Sequence, residues 1–310
     1  MRTRIMERGE TMTLQLEQVT KKFGDFTAVD DLTLTVGEGT MYGFLGANGA
    51  GKTTTFRMIL GLLTPTGGTV RWKGKPITYG TSHEIGYLPE ERGLYPKMKV
   101  EDQLVFLGEL RGMKKSDAKA ALKKWLERFE VPQYQSKKVE ELSKGNQQKI
   151  QVIASLMHNP ELLILDEPFS GLDPVNVEML KGAVKEFRDA GATIVFSSHR
   201  MDHVEELCEQ LSIIDHGKQV VKGSLREVKR SFGRQNVRIR SDYDITGLQS
   251  VTGVQNSSYA LDGAVFQVAD DETAGRLLEE ALKSGPVRHF SIEEPSLQDI
   301  FIAKVGAEHA

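Results

Sequence analysis

An α/β fold followed by a smaller α+β unit is predicted by three features of the chain. A glycine-rich turn separates the apolar run Met41–Leu45 from a stretch with Phe56, Ile59, Leu60 and Leu63 at helical spacing. Two further runs, 162–165 and 193–196, are continuously apolar, as strands buried on both faces of a parallel sheet are. Past about residue 225 the texture changes to short alternating runs.

Taken in order, Met12 opens the first strand pattern, and residues 1–11, with charges of both signs and no apolar core, read as an extension, an upstream start codon being one source. Leu14, Leu16 and Val19 alternate with polar residues, and Leu32, Leu34 and Val36 repeat that period, so an antiparallel-type sheet begins the body. Strand, glycine turn and helix follow over 41–63. Residues 97–157 are mostly helical in pattern, with Ala121, Leu122, Trp125, Leu126 and Phe129 on one side of a helix, and are expected to form a helical insertion. The first domain is placed at 12–228 and a small domain at 229–310. In the latter, strands are expected near 237–240, 251–257, 264–269 and 287–292, with helices over 273–283 and 296–305 and room for a short one after the first strand. That order suits a ferredoxin-like α+β unit.

Composition narrows the function classes. Apolar residues make up 39% and charged residues 27% of the 310, an ordinary globular balance. Forty Lys plus Arg against 43 Asp plus Glu leave a net charge of -3, which offers no field for nucleic acid or anionic lipid. Cys208 is the single cysteine, which excludes an internal disulfide and fits a reducing compartment, the cytoplasm. The run at 162–165 is ended at once by Asp166 and Glu167, and no stretch approaches the length of a membrane span.

The chemistry concentrates in two places. Gly46-Ala47-Asn48-Gly49-Ala50-Gly51-Lys52-Thr53 matches the P-loop pattern in its proper context, strand before and helix after. Its glycines let successive N–H groups face phosphate oxygens, and the helix N-terminus adds positive potential. Lys52 would pair with the β and γ phosphates, Thr53 would ligate Mg²⁺, and Thr54 would reach a neighbouring phosphate oxygen. The second place is the strand end Asp166-Glu167. Two acids there are costly unless a cation sits beside them, and Mg²⁺ would be that cation. Asp166 would hold the metal largely through water; Glu167 would polarise the water that attacks the γ phosphate.

Leu142-Ser143-Lys144-Gly145-Asn146-Gln147-Gln148, shortly before the acidic strand, resembles the signature sequence of ABC ATPases. The resemblance covers about residues 14–226 and implies a P-loop ABC ATPase domain with an antiparallel β subdomain, a parallel-sheet core and a helical insertion. It implies that Ser143 and Gly145 hold the γ phosphate of an ATP bound by the opposite subunit, so that ATP binding closes a homodimer around two Mg-ATP. Phe23, before Gly24, matches the aromatic that stacks on adenine. Ser170-Gly171-Leu172-Asp173 resembles the loop that crosses the dimer interface, which assigns Asp173 to the nucleotide sandwich, and His199 resembles the switch histidine at the γ phosphate. The family usually has Gln in the loop linking nucleotide site to membrane partner; Glu90 stands there and would keep an oxygen near Mg²⁺ with an added charge. Lys144 and Asn146 replace Gly and Gln of the usual signature.

The stretch 85–95, IGYLPEERGLY, and the ending at 294–301 look like the branch serving ABC-2-type exporters, which commonly carries a small domain after its ATPase. The expected protein is therefore an ATP-hydrolysing subunit that drives a separate ABC-2-type integral membrane permease from the inner face of the cell membrane, for export. An importer ATPase and a soluble ABC ATPase acting on ribosomes or DNA are the alternatives.

Overall fold

The computed structural model describes residues 12–306 apart from 92, 234 and 262; the extension expected over 1–11 lies outside the described residues. The chain divides into two compact units between Lys222 and Gly223.

The first unit opens with strands β1 (Met12–Phe23) and β2 (Phe26–Gly37), an antiparallel hairpin that turns at Gly24, φ 58. Strand β3 (Met41–Leu45) is wholly buried and feeds helix α1 (Lys52–Ile59). Next come β4 (Gly67–Trp72), β5 (Lys75–Pro76) and β6 (Ile85–Leu88). Helices α2 (Val100–Leu110), α3 (Lys115–Arg128) and α4 (Lys144–Leu156) make the helical insertion. The remainder alternates: β7 (Leu162–Asp166), α5 (Pro174–Asp189), β8 (Thr193–Ser198), α6 (Met201–Leu207), β9 (Gln210–Asp215) and β10 (Lys218–Ser224).

Among the described residues these strands form two sheets, ordered β2-β1-β4-β5 and β10-β9-β3-β8-β7-β6. In the second, β3 runs parallel to both β8 and β9, and β7 runs parallel to β6 and β8. Parallel neighbours bury both faces, which explains the unbroken apolar runs. One hydrophobic core joins the sheets through Leu16 and Leu34, Phe44 and Phe56, and Ile164 and Val195. Phe44 and Phe56 pack ring to ring at 5.6 Å, so α1 is fixed to the strand that precedes it. Burying a ring such as Phe56 contributes about 2–3 kcal/mol.

The helix expected over 53–63 is shorter. α1 stops at Ile59 because Gly61 takes φ 68, a left-handed terminator, while Leu60 and Leu63 still pack on the core.

The second unit begins with α7 (Leu225–Ser231), capped by Ser224, whose hydroxyl accepts from Glu227 N–H in a capping box. The boundary expected at 228/229 would cut this helix. Strands β11 (Gln235–Ser241), β12 (Val254–Ala260), β13 (Gly263–Val268) and β14 (Val287–Glu293) and helices α8 (Asp271–Ser284) and α9 (Leu297–Val305) follow, with a 3₁₀ turn at Thr246–Ser250. The sheet is antiparallel in the order β12-β13-β11-β14, the ferredoxin-like order with its first helix reduced to that turn. Strand β12 starts later than the expected 251 because Gly253 turns the chain at φ 101, against Thr273. Val237, Ile239, Phe266 and Leu277 are its fully buried centre.

Candidate nucleotide site

The loop between β3 and α1 is shaped by close backbone approach. A Cβ on Gly46 would lie 2.6 Å from the Ile214 carbonyl, and one on Gly51, itself at φ 105, 2.5 Å from the Ala28 carbonyl. Only glycine fits both places. Ala47, Asn48 and Gly49 form an exposed rim, Gly49 at φ 82, and Ala50 is buried beneath. The first α1 bond to reach back is Thr55 N–H to Gly51 carbonyl, so the amides of Lys52, Thr53 and Thr54 have no acceptor within the helix. The Lys52 ammonium is buried and donates to the carbonyls of Gly46 (2.7 Å) and Ala47 (3.1 Å), which lays a cation across the loop.

At the neighbouring strand ends a chain of hydrogen bonds collects the acids. Thr53 Oγ1 donates to Asp166 Oδ2 at 3.0 Å, and Ser197 Oγ donates to Asp166 Oδ1 at 2.6 Å. Ser197 Oγ also accepts from Glu167 N–H at 3.0 Å. His199 Nδ1 lies 2.8 Å from Glu167 Oε2; the carboxylate accepts, so Nδ1 carries the donated hydrogen. Asp166 is 1% and Glu167 6% exposed, whereas the His199 side chain is 60% exposed. Glu167 sits at φ 49, in the left-handed region, at a cost of about 1–2 kcal/mol. Beside the cluster, burial first, and then the negative charge of Asp166, push the Tyr87 hydroxyl up to about 12.

Not every expected residue joins this cluster. Ser143 is the exposed N-cap of α4, its hydroxyl accepting from Asn146 N–H at 3.4 Å, and nothing beyond the helix's own backbone lies within 4 Å of the place a Cβ on Gly145 would take. Phe23 is a half-exposed ring at the β1–β2 turn with the Lys21 ammonium 5.1 Å from its centroid. Asp173 caps α5, accepting from Asn176 N–H at 3.1 Å; that bond holds its carboxyl below the usual range. Glu90 is exposed, two residues beyond β6. Ser197, which bonds to both acids, is not singled out by pattern reading. A hydroxyl closing an apolar strand was its only signal, and its role appears with the register Asp166↔Ser197.

The residues suit a magnesium–triphosphate. Thr53 Oγ1 and Asp166 Oδ2 are hard oxygen donors within 3.0 Å of each other, the type Mg²⁺ takes while keeping most of its water. Glu167 Oε1 is buried without a protein partner among the described residues, an acceptor that a water would satisfy.

A glycine loop at a helix N-terminus, a lysine across it, and acids at the adjacent parallel strand ends define a P-loop nucleotide-hydrolysing site. Residues 29–170 match the ABC transporter family, and residues 223–305 match the C-terminal domain of DrrA1-3-like ATP-binding proteins. The chain is 59% identical over 294 residues to the ABC transporter ATP-binding protein YhaQ of Bacillus subtilis (strain 168), covering 95% of this chain and 99% of that one. It is 36% identical over 302 residues to the Nod factor export ATP-binding protein I of Cupriavidus metallidurans, covering 96% and 99%. A solved ATP-binding subunit of an ABC transporter superposes with a TM-score of 0.68 at 29% identity, over 71% of this chain and 93% of that one. The chain belongs to the ABC transporter ATP-binding proteins, of the branch with a DrrA-like C-terminal domain, and is an ATPase. Among the described residues no helix is long and apolar enough to cross a membrane.

Proposed function

We propose that this ATPase powers export by dimerising on Mg-ATP and driving an ABC-2-type permease from the cytoplasmic face of the membrane. The observation that carries the catalytic part is the Thr53–Asp166–Ser197–Glu167–His199 chain of hydrogen bonds beside the glycine loop. The loop amides of residues 46–54 cradle the phosphates, and Lys52 exchanges the two carbonyls for β and γ oxygens. Mg²⁺, when bound, would supply charge neutralisation to the phosphates. Thr53 and Asp166 would hold it, and Glu90 would contribute an oxygen through water. Glu167 accepts a proton from the attacking water, and His199, bonded to Glu167 through Nδ1, offers Nε2 to the γ phosphate. Phe23 stacks on the adenine.

The open ends at Ser143 and Gly145 support a sandwich, since exposed helix N-termini are anion sites that await a ligand from outside the chain. Asp173, at the next exposed cap, lies at the same interface. Export is favoured by the DrrA-like domain and by the full-length likeness to an export ATPase. The test is purification of the tagged chain from gently solubilised membranes. A permease of about six spans accompanying it supports this reading, and a solute-binding protein or ribosomal partners without a membrane protein contradict it.

A further inference from the structure

Gln151 does something that neither the loop nor the acids require. It lies on α4, 4% exposed, and its Nε2 donates to the carbonyls of Pro89 at 3.0 Å and Glu91 at 3.1 Å. Both amide hydrogens are spent on the two residues that flank Glu90. A second buried amide, Gln103 on α2, takes hold farther along: Tyr95 N–H donates to its Oε1 at 3.2 Å. The segment after β6 is thus tied to the helical insertion by side chains of two helices.

The other end of α4 is fixed to the sheet. A Cβ on Gly86 would meet the Ser155 carbonyl at 2.4 Å, so β6 and the last turn of α4 touch backbone to backbone, and His158 Nε2 lies 3.2 Å from the Ile85 carbonyl. At 1.5 Å per residue, Ser143 is about 18 Å and Gln151 about 6 Å from that contact. A tilt of α4 about it that moves Ser143 by ~3 Å moves Gln151, and the two carbonyls with it, by ~1 Å.

We propose that Gln151 is a positioning residue that makes the Pro89–Glu91 backbone travel with α4, so that a phosphate at the Ser143 end displaces the Glu90 loop. The residue type is specific. Glutamine offers two hydrogens on one nitrogen at this reach; asparagine is a methylene shorter, glutamate when ionised has none, and methionine fills the volume without donating. The transmission part rests on the reading of Ser143 and Gly145 as a phosphate hold, whereas the clamp itself does not.

Hydrogen exchange on the full-length chain separates the two. In the nucleotide-free protein, Gln151→Met should make the amides of Glu90, Glu91, Gly93 and Leu94 exchange at least ten-fold faster with α4 unchanged, and Gln151→Asn should fall between. Unchanged exchange in the loop overturns the clamp, and if the methionine variant does not fold, the asparagine variant decides alone. With a non-hydrolysable ATP analogue and Mg²⁺, wild type should protect α4 and the loop together, and Gln151→Met should protect α4 alone. Loop protection that persists in the variant overturns the transmission. A wild-type α4 that does not respond overturns the phosphate hold as well, while leaving the clamp result standing.

Discussion

His199 Nδ1 and Glu167 Oε2 stand 2.8 Å apart across the ends of two adjacent strands, joining an exposed imidazole to a carboxylate that is 6% exposed. The other carboxylate oxygen has no protein partner among the described residues. One oxygen is oriented and the other left for water. Glu167→Gln keeps the volume and the shape but removes the base, so nucleotide affinity should stay within about three-fold while turnover falls about 10²–10⁴-fold. Steady-state ATPase assays beside equilibrium nucleotide binding check this; undiminished turnover would remove Glu167 from the role.

Lys52 should separate binding from folding. Its bond to the Ala47 carbonyl lies at the exposed rim, where water replaces it when the side chain is cut back, and the space the side chain leaves opens the Gly46 carbonyl to the same water. Its charge-assisted bonds to phosphate have no such substitute and are worth about 1.5–3 kcal/mol. Lys52→Ala should therefore weaken ATP binding about 10–150-fold. Its melting temperature without nucleotide should stay close to wild type. Calorimetric titration and a thermal melt on the same sample distinguish this from a merely structural lysine, which would lower the melting temperature and spare affinity.

The pH dependence of stability has an identifiable contributor far from the phosphates. Burial first, partly opposed by the bond to the Ile85 carbonyl, lowers His158 to about 4, and Arg111 and His83 push the same way as burial. The folded state thus prefers the neutral ring. Above about pH 6.5 both states are neutral and nothing is lost; as pH falls toward 4 the unfolded chain takes up the proton first and stability drops, by about 2 kcal/mol at pH 5. His158→Gln should flatten that part of the curve. Urea unfolding of both proteins at pH 7 and pH 5 measures it, and parallel slopes would exclude His158 as the source.

Much of the site was legible because its parts are contiguous or end a recognisable strand. The glycine loop reads as one eight-residue string, and Asp166 and Glu167 follow an apolar run directly. What stayed hidden depends on pairing between distant segments. Ser197 acts on Asp166 and Glu167 only through the β7–β8 register, and Gln151 reaches a loop some 60 residues back. Helical periodicity ran past the true end of α1 because Leu63 packs on the core without being helical. The same limit applies to Asp173, where the resemblance of 170–173 to a family loop marks the residue and only structure shows its carboxylate engaged as the α5 cap.

The division between Lys222 and Gly223 predicts that each part folds without the other. The second unit owns a complete sheet and a dry centre of Val237, Ile239, Phe266 and Leu277, and at 88 residues it is within the size at which domains fold alone. The first unit has its own core around Phe44 and Phe56, and every residue of the glycine loop, the acids and His199 lies within it. A chain ending at Lys222 should bind ATP within about three-fold of the full-length affinity, since none of the cited phosphate contacts is removed. Residues 223–310 made alone should unfold cooperatively in urea with dispersed amide resonances. A first unit that aggregates or loses nucleotide affinity would mean that the C-terminal domain completes the ATPase core rather than being an appended module.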